Sequence, residues 1–314
     1  MRGIDIARGY YETYGRPMLE EQFPAELPRI AVGIVGEGSE CLGYDDELSR
    51  DHDFEPGFCL WLTRADAARF GFALERAYAR LPKEYAGAKR QMMAPVGGPR
   101  HGVLVMEDFY TRFLGDISVP ETPEGWFRLP SHQLLAASNG EVWRDDLGIF
   151  SRVRAEIQAG YPEDVRRKKL AAHLVFMAQT GQYNYVRLIA RGETGAAGLA
   201  MSAFLRHTIS CVYLLNHAYE PYYKWSFRGM RDLPNLSEMA ELLTNLGEMG
   251  NSPKEAEIKK DVVEDIARMV SRAVCEDCRV EDHGGDLERL AYEVNGTVRD
   301  PYVRGLHIMA GAEF

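Results

Sequence analysis

Residues 1–28 read as a helical lead-in whose end is marked by "MLEEQF" and then by Pro24 and Pro28. The pattern then changes. "RIAVGIVG" (Arg29–Gly36) is apolar, rich in Val and Ile, too short for a typical helix and bounded by turn formers, which predicts a buried strand. "DFEPGFCLWL" (Asp53–Leu62) predicts a second strand, with a bulge or bend at Pro56-Gly57. Thr63–Leu81 has helical periodicity, with Phe70, Leu74, Ala77 and Leu81 on one face. "APVGGPRHG" predicts a loop and Val103–Met106 a third strand. "EDFYTRFLG" predicts a short helix capped by Glu107 or Asp108 and stopped at Gly115. After the turn-rich "SVPETPEG" the pattern becomes almost wholly helical. Its long segments are "DVRRKKLAAHLVFMAQTGQYNYVRLIAR", "TGAAGLAMSAFLRHTISCVYLLNHAY", "LSEMAELLTNLGEM" and "PKEAEIKKDVVEDIARMVSRAVCEDC". Short connectors between such segments predict a bundle of antiparallel neighbours. The expected fold class is therefore α+β: a small mixed sheet with flanking helices, followed by an all-α helical bundle. The boundary is placed between Pro120 and Pro130, giving domains 1–125 and 126–314.

Bulk properties narrow the classes of function. A chain of 314 residues is long enough for two cores. The net charge of −10 disfavours nucleic acid as a partner, which needs a basic surface. No apolar run approaches the length of a membrane span, and "MRGIDIARGYYETYG" lacks a signal-peptide core, so no membrane association is expected. Five scattered cysteines without a disulfide-like pattern fit a reducing cytoplasm.

The chemistry concentrates in "GEGSECLGYDDELSRDHDF" (Gly36–Phe54). On an extended backbone Asp51 and Asp53 share one face and His52 points away. Two carboxylates within about 4 Å repel by roughly 4 kcal/mol at an effective dielectric of about 20. Water screens them, one takes up a proton, or a cation sits between them. A hard divalent cation such as Mg²⁺ takes oxygen ligands and leaves room for phosphate oxygens. Upstream, Gly38-Ser39 is a turn able to present backbone N–H groups and a hydroxyl to an anion. One part of the segment suits phosphate, the other the metal that accompanies it. A lone D-x-D is usually a solvated turn; a strand, Gly-Ser turn, short polar helix and then D-x-D entering a second strand is far more specific.

"GEGS" followed by "RDHDF" resembles the signature of the polymerase-beta-like nucleotidyltransferase superfamily, a Gly-Ser turn followed about a dozen residues later by Asp-x-Asp. The wording "GEGSECLGYDDELSRDHDF", "GQYNYVR" and "PYYKW" also resembles a bacterial family of nucleotidyltransferase-like proteins of unknown function, over about Gly33 to Leu243. There is a more distant similarity to aminoglycoside and lincosamide nucleotidyltransferases. The resemblance implies Asp51 and Asp53 as catalytic ligands of Mg²⁺ or Mn²⁺, and Gly38 and Ser39 on the triphosphate. It also implies a third carboxylate on a later strand. "RHGVLVMED" has none inside the strand. Glu107 and Asp108 lie just past it as candidates for the general base, followed by Asp116, with His101 at the strand start. Each acid is equally suited to a helix cap or a loop charge. Asp45 and Asp46 are expected to face solvent.

The helical part carries further candidates. "GQYNYVRLIAR" places Gln182, Asn184, Arg187 and Arg191 within three turns after a break expected at Gly181; Arg187 and Arg191 are neighbours on one face. They suit a polar cleft wall or a solvated, ion-paired face. In "NHAYEPYYKWSFRG" Pro221 restarts the helix, and Tyr222, Tyr223, Lys224 and Trp225 cannot all face a core. Packing on a half-wet surface is one account. The other, implied by the resemblance to antibiotic-modifying enzymes, has Lys224 and a tyrosine such as Tyr222 reaching triphosphate oxygens, with Arg228 adding charge. Cys275, Cys278 and His283 offer only part of a zinc ligand set. His173 and His207 suit core packing better than ligation.

The resemblance implies transfer of a nucleotidyl group, AMP from ATP, to a hydroxyl of a small-molecule acceptor with release of pyrophosphate. A tRNA or protein acceptor stays open. So does a nucleotide-binding sensor without transferase activity, which the missing in-strand acid favours.

Overall fold

The computed structural model describes residues 2–46, 56–89 and 100–312. The chain divides into two compact units, Met1–Pro120 with Gln133–Ala159, and Glu121–His132 with Gly160–Phe314. The fold is α+β, as the periodicity predicts: a small mixed sheet with helices in the first unit, and helices alone in the second.

The strands are β1 (Ala31–Ile34), β2 (Cys59–Leu62), β3 (Glu84–Tyr85), β4 (Ala88–Lys89), β5 (Gly102–Val105) and β6 (Glu141–Arg144). The main sheet has the order β5-β2-β1-β6. β1 runs antiparallel to β2 and β6, while β2 runs parallel to β5 with Cys59 opposite Gly102. A parallel pair needs a long crossover, and the helical segment from Arg64 to Ala79 lies within it. β1 and β2 are buried at every position, which is why both read as unbroken apolar runs. Pro56-Gly57 precedes β2, where the chain bends at Pro56 and β2 itself carries no bulge. Leu60 and Leu62 pack with Tyr10, Leu19 and Leu74. Trp61, on the opposite face, stacks on Phe150 with ring centroids 4.1 Å apart.

Two strand features depart from the sequence pattern. β6 lies in a stretch expected to be helical. Its Glu-Val-Trp-Arg sequence is half-buried throughout, so it lacks the apolar run that marks β1. Gly33 admits it: a Cβ there would sit 2.2 Å from the Glu141 carbonyl, where the β1–β6 register slips. Gln133–Ala159 accordingly goes with the sheet, whereas the expected partition at 125/126 assigns it to the helices. The β3–β4 hairpin turns on Ala86 and Gly87, both at positive φ (50° and 83°), a two-residue turn without the usual Asn-Gly signal.

In the second unit, Glu163–Met177 continues through π-helical turns at Ala178–Tyr185 into Val186–Ala190. Gly181 lies inside this run and is no break; a Cβ there would meet the Phe204 ring at 2.3 Å, so its smallness serves close packing. Thr194–Leu215, Met239–Glu248 and Pro253–Cys278 match the remaining predicted helices, the last opened by a capping box between Ser252 and Glu255. Their shared core includes Leu170, Leu174, Phe204, Val212, Leu243 and Ile266. Thr194–Leu215 has, contrary to expectation, the length and apolarity of a bilayer span; 56% of that apolar window is buried inside the unit, as a core helix requires.

Candidate functional site

β1 ends at Ile34, and the chain turns at Gly36 into Gly38 and the one-turn helix Ser39–Leu42. Gly36 has φ +151°, a conformation that side chains disfavour. Asn139 holds it there. Its Oδ1 accepts the Gly36 N–H at 3.0 Å, and its Nδ2 donates to the Gly36 carbonyl at 2.7 Å. Arg154 in turn donates to the carbonyls of Asn139 and Gly140, so the clamp is itself braced. A Cβ on Gly38 would lie 2.0 Å from a Glu40 carboxylate oxygen, so the Glu40 side chain would have to swing aside. The helix that follows is four residues long, too short to add a substantial dipole, so an anion here would rest on the turn's backbone and the Ser39 hydroxyl.

Beneath the turn lies a space of about 30 Å³, room for about one water, bordered by Glu37, Glu40, Arg100, His101, Arg112 and apolar side chains. Glu40 is buried, with an oxygen 3.9 Å from His101 Nε2. Burial raises its pKa, and the nearby His101 only partly opposes this. Burial likewise raises the Cys41 thiol well above its usual range and the Cys59 thiol to about 12. The carboxyl and thiols beneath the turn are thereby biased toward their neutral forms. Arg112 pairs with Glu37 at 2.5 Å. Arg100 and Arg112 are the cations that sequence reasoning missed. They stand twelve residues apart, one just before β5 and one in the helix Met106–Leu114, a separation with no helix or strand periodicity to link them.

Asp51 and Asp53 lie outside the described residues. Of the candidates for the third carboxylate, Glu107 accepts the Arg64 N–H with both oxygens, at 3.0 and 2.9 Å, and Asp108 pairs with the Arg64 guanidinium at 2.6 Å. Both therefore brace the start of the crossover helix. Asp116 accepts the Ile117 N–H in its own turn. Asp45 does not simply face solvent: it accepts the Gly3 N–H at 2.7 Å at the start of the first helix, and its other oxygen is buried. Asp46 is exposed.

In the helical unit, Arg187 is exposed and lies over the Tyr183 ring at 3.7 Å; Asn184 and Arg191 are exposed too. Gln182 donates to Glu264 and to the Gly285 carbonyl. Lys224 is exposed beside Trp225, and Arg228 is exposed one turn on. Tyr222 meets His132 edge-on. Burial raises the Cys275 thiol and pushes Cys278 to about 12. His283 instead gathers with Glu281 and Glu293, its Nε2 2.5 Å from a Glu293 oxygen.

The same unit contains a cavity of about 420 Å³. Tyr222 and Tyr223 line it, and Lys224 and Arg187 do not. Residues 126–226 match the model of a family described as a domain of unknown function (DUF4037). Every residue lining this cavity except Phe227 falls in that span. No curated protein matches the chain. Among solved structures, a nucleotidyltransferase-like protein from Exiguobacterium sibiricum aligns over 94% of this chain and 91% of its own, at 12% identity and a TM-score of 0.36.

Proposed function

We propose that the protein transfers a nucleotidyl group, AMP from ATP, to a hydroxyl of a small-molecule acceptor. The observation that carries this is the junction after β1: a turn fixed by Asn139 at Gly36, then Gly38-Ser39, with the sequence returning Asp51 and Asp53 ahead of β2. Anion binding at the turn is supported by Arg100 and Arg112 bordering it, the latter already ion-paired with Glu37, and by a Glu40 carboxyl biased toward its neutral form. Asp51 and Asp53 are oxygen donors of the type hard divalent cations take, and would hold Mg²⁺ or Mn²⁺. Such an ion, when bound, supplies charge neutralisation on the polyphosphate. The chain's own work is positional: to hold the phosphates in line with the attacking hydroxyl.

A second reading, nucleotide binding without transfer, is favoured by the commitments of Glu107 and Asp108 to Arg64, which leave neither placed as the general base. One experiment separates the two. The full chain is incubated with each NTP, Mg²⁺ and a panel of hydroxyl acceptors, and pyrophosphate is measured beside thermal stability. Transfer requires Mg²⁺-dependent pyrophosphate release, lost in Asp51→Asn/Asp53→Asn. Stabilisation by an NTP without release supports the binding reading. Neither release nor stabilisation removes both.

A further inference from the structure

We propose that the cavity of the helical unit binds a small aromatic molecule carrying a single anionic group. The inference does not depend on nucleotidyl transfer, because its readout is binding to a different set of residues.

The volume, about 420 Å³, lies in the range of small-molecule sites. The walls are built for a flat ring. Tyr161 and Tyr213 line the cavity, as do Tyr222 and Tyr223, which remain 50% and 72% exposed. Half-exposed tyrosines beside a cavity offer a face to stack on at little conformational cost. His132 steadies Tyr222 edge-on, with ring centroids 5.5 Å apart. The Tyr213 hydroxyl is tied to the Ser226 carbonyl at 2.8 Å, so this ring is held before anything binds.

Charge selects the ligand's polar end. Among the described residues, the permanent cations Lys169 and Arg206 and the carboxylate Glu220 line the cavity, Lys169 and Glu220 each already holding partners. Lys169 is only 3% exposed; its ammonium donates to the Gly311 carbonyl at 2.9 Å and lies 5.4 Å from the Tyr161 ring centroid. Glu220 accepts the Ser210 hydroxyl at 2.6 Å, and its backbone N–H donates to Ser131 Oγ at 2.7 Å. Both cations act on His173: Lys169 is one turn from it on the same helix, and Arg206 comes from the helix Thr194–Leu215. Burial, then His207, Lys169 and Arg206, hold the His173 imidazole well below its usual pKa. A neutral imidazole between two cations is a wall that favours an anion and disfavours an amine.

The test uses the full chain and four probes of similar shape: indole-3-acetate and phenyl phosphate as anions, indole as the neutral ring and tryptamine as the cation. Calorimetry should show both anions binding more tightly than indole, and tryptamine no more tightly than indole. Arg206 and Tyr222 are exposed, so Arg206→Gln and Tyr222→Ala are expected to fold normally. Arg206→Gln should weaken anion binding about tenfold or more, the usual worth of a charged hydrogen bond, and Tyr222→Ala should weaken all ring binding. Absence of anion binding at millimolar concentration overturns the proposal. So does preference for tryptamine, or anion affinity unmoved by Arg206→Gln.

Discussion

Asn139 grips the peptide groups on both sides of Gly36, accepting from its N–H at 3.0 Å and donating to its carbonyl at 2.7 Å, across 103 residues of sequence. Removing that amide leaves two part-buried backbone groups to find water. Asn139→Ala should lower unfolding stability by about 1–3 kcal/mol, read from the urea midpoint at constant slope. Asn139→Asp keeps the acceptor but turns a carboxylate oxygen toward the Gly36 carbonyl, so it should cost at least as much as alanine at neutral pH. An alanine variant as stable as the parent would mean the clamp does not hold the turn.

That clamp also shows what sequence reasoning reaches. β1 and β2 are legible because buried central strands must be continuously apolar, and the long helices because one face of each must fill a core. The Gly-Ser turn is legible because its residue types are constrained locally. Asn139 is not: "SNG" reads as an ordinary turn, and only the pairing of β6 with β1 brings it to Gly36. β6 itself is obscured because an edge strand needs no apolar run. Arg100, Arg112 and Glu40 are legible as charges, but their meeting place depends on three-dimensional closure. Glu107 is legible as a helix-start acid; that it serves the helix beginning at Arg64, and not its own, is a tertiary fact.

Glu40 should impose a pH dependence opposite to that of a salt-bridged acid. Burial raises its folded pKa above the unfolded value, so its stability is fully present at low pH and is lost as pH rises through the folded pKa. Glu40→Gln removes this loss. The variant should match the parent near pH 4, gain on it as pH rises above the usual carboxyl range, and level off once pH passes the folded pKa, measured by thermal unfolding from pH 4 to pH 8. A difference independent of pH would show that folding leaves the Glu40 pKa where it is in the unfolded chain.

Glu107 caps the Arg64 amide with both oxygens. Glu107→Ala should therefore lower stability by about 0.5–2 kcal/mol, the usual worth of a lost cap. The thermal stabilisation given by NTP and Mg²⁺ should be unchanged. If instead stability holds and pyrophosphate release alone disappears, Glu107 belongs to the chemistry and the transfer reading gains its base.

His173 and His207 face each other with Nδ1 atoms 3.0 Å apart, both buried, and His207 also stacks on Phe176. Burial lowers both pKa values, His173 well below its usual range and His207 to about 4. The unfolded chain binds protons near pH 6.5, whereas the folded pair resists them. Between those limits the unfolded state holds more protons, so stability must fall as pH falls. For His207 the full loss on acidification through about pH 4 is roughly 3 kcal/mol. Thermal unfolding from pH 7 to pH 4 should show this slope, and His207→Gln should flatten it even if the variant starts less stable, because no imidazole remains at that position to take the proton. Parallel slopes in parent and variant would place the acid sensitivity elsewhere in the chain.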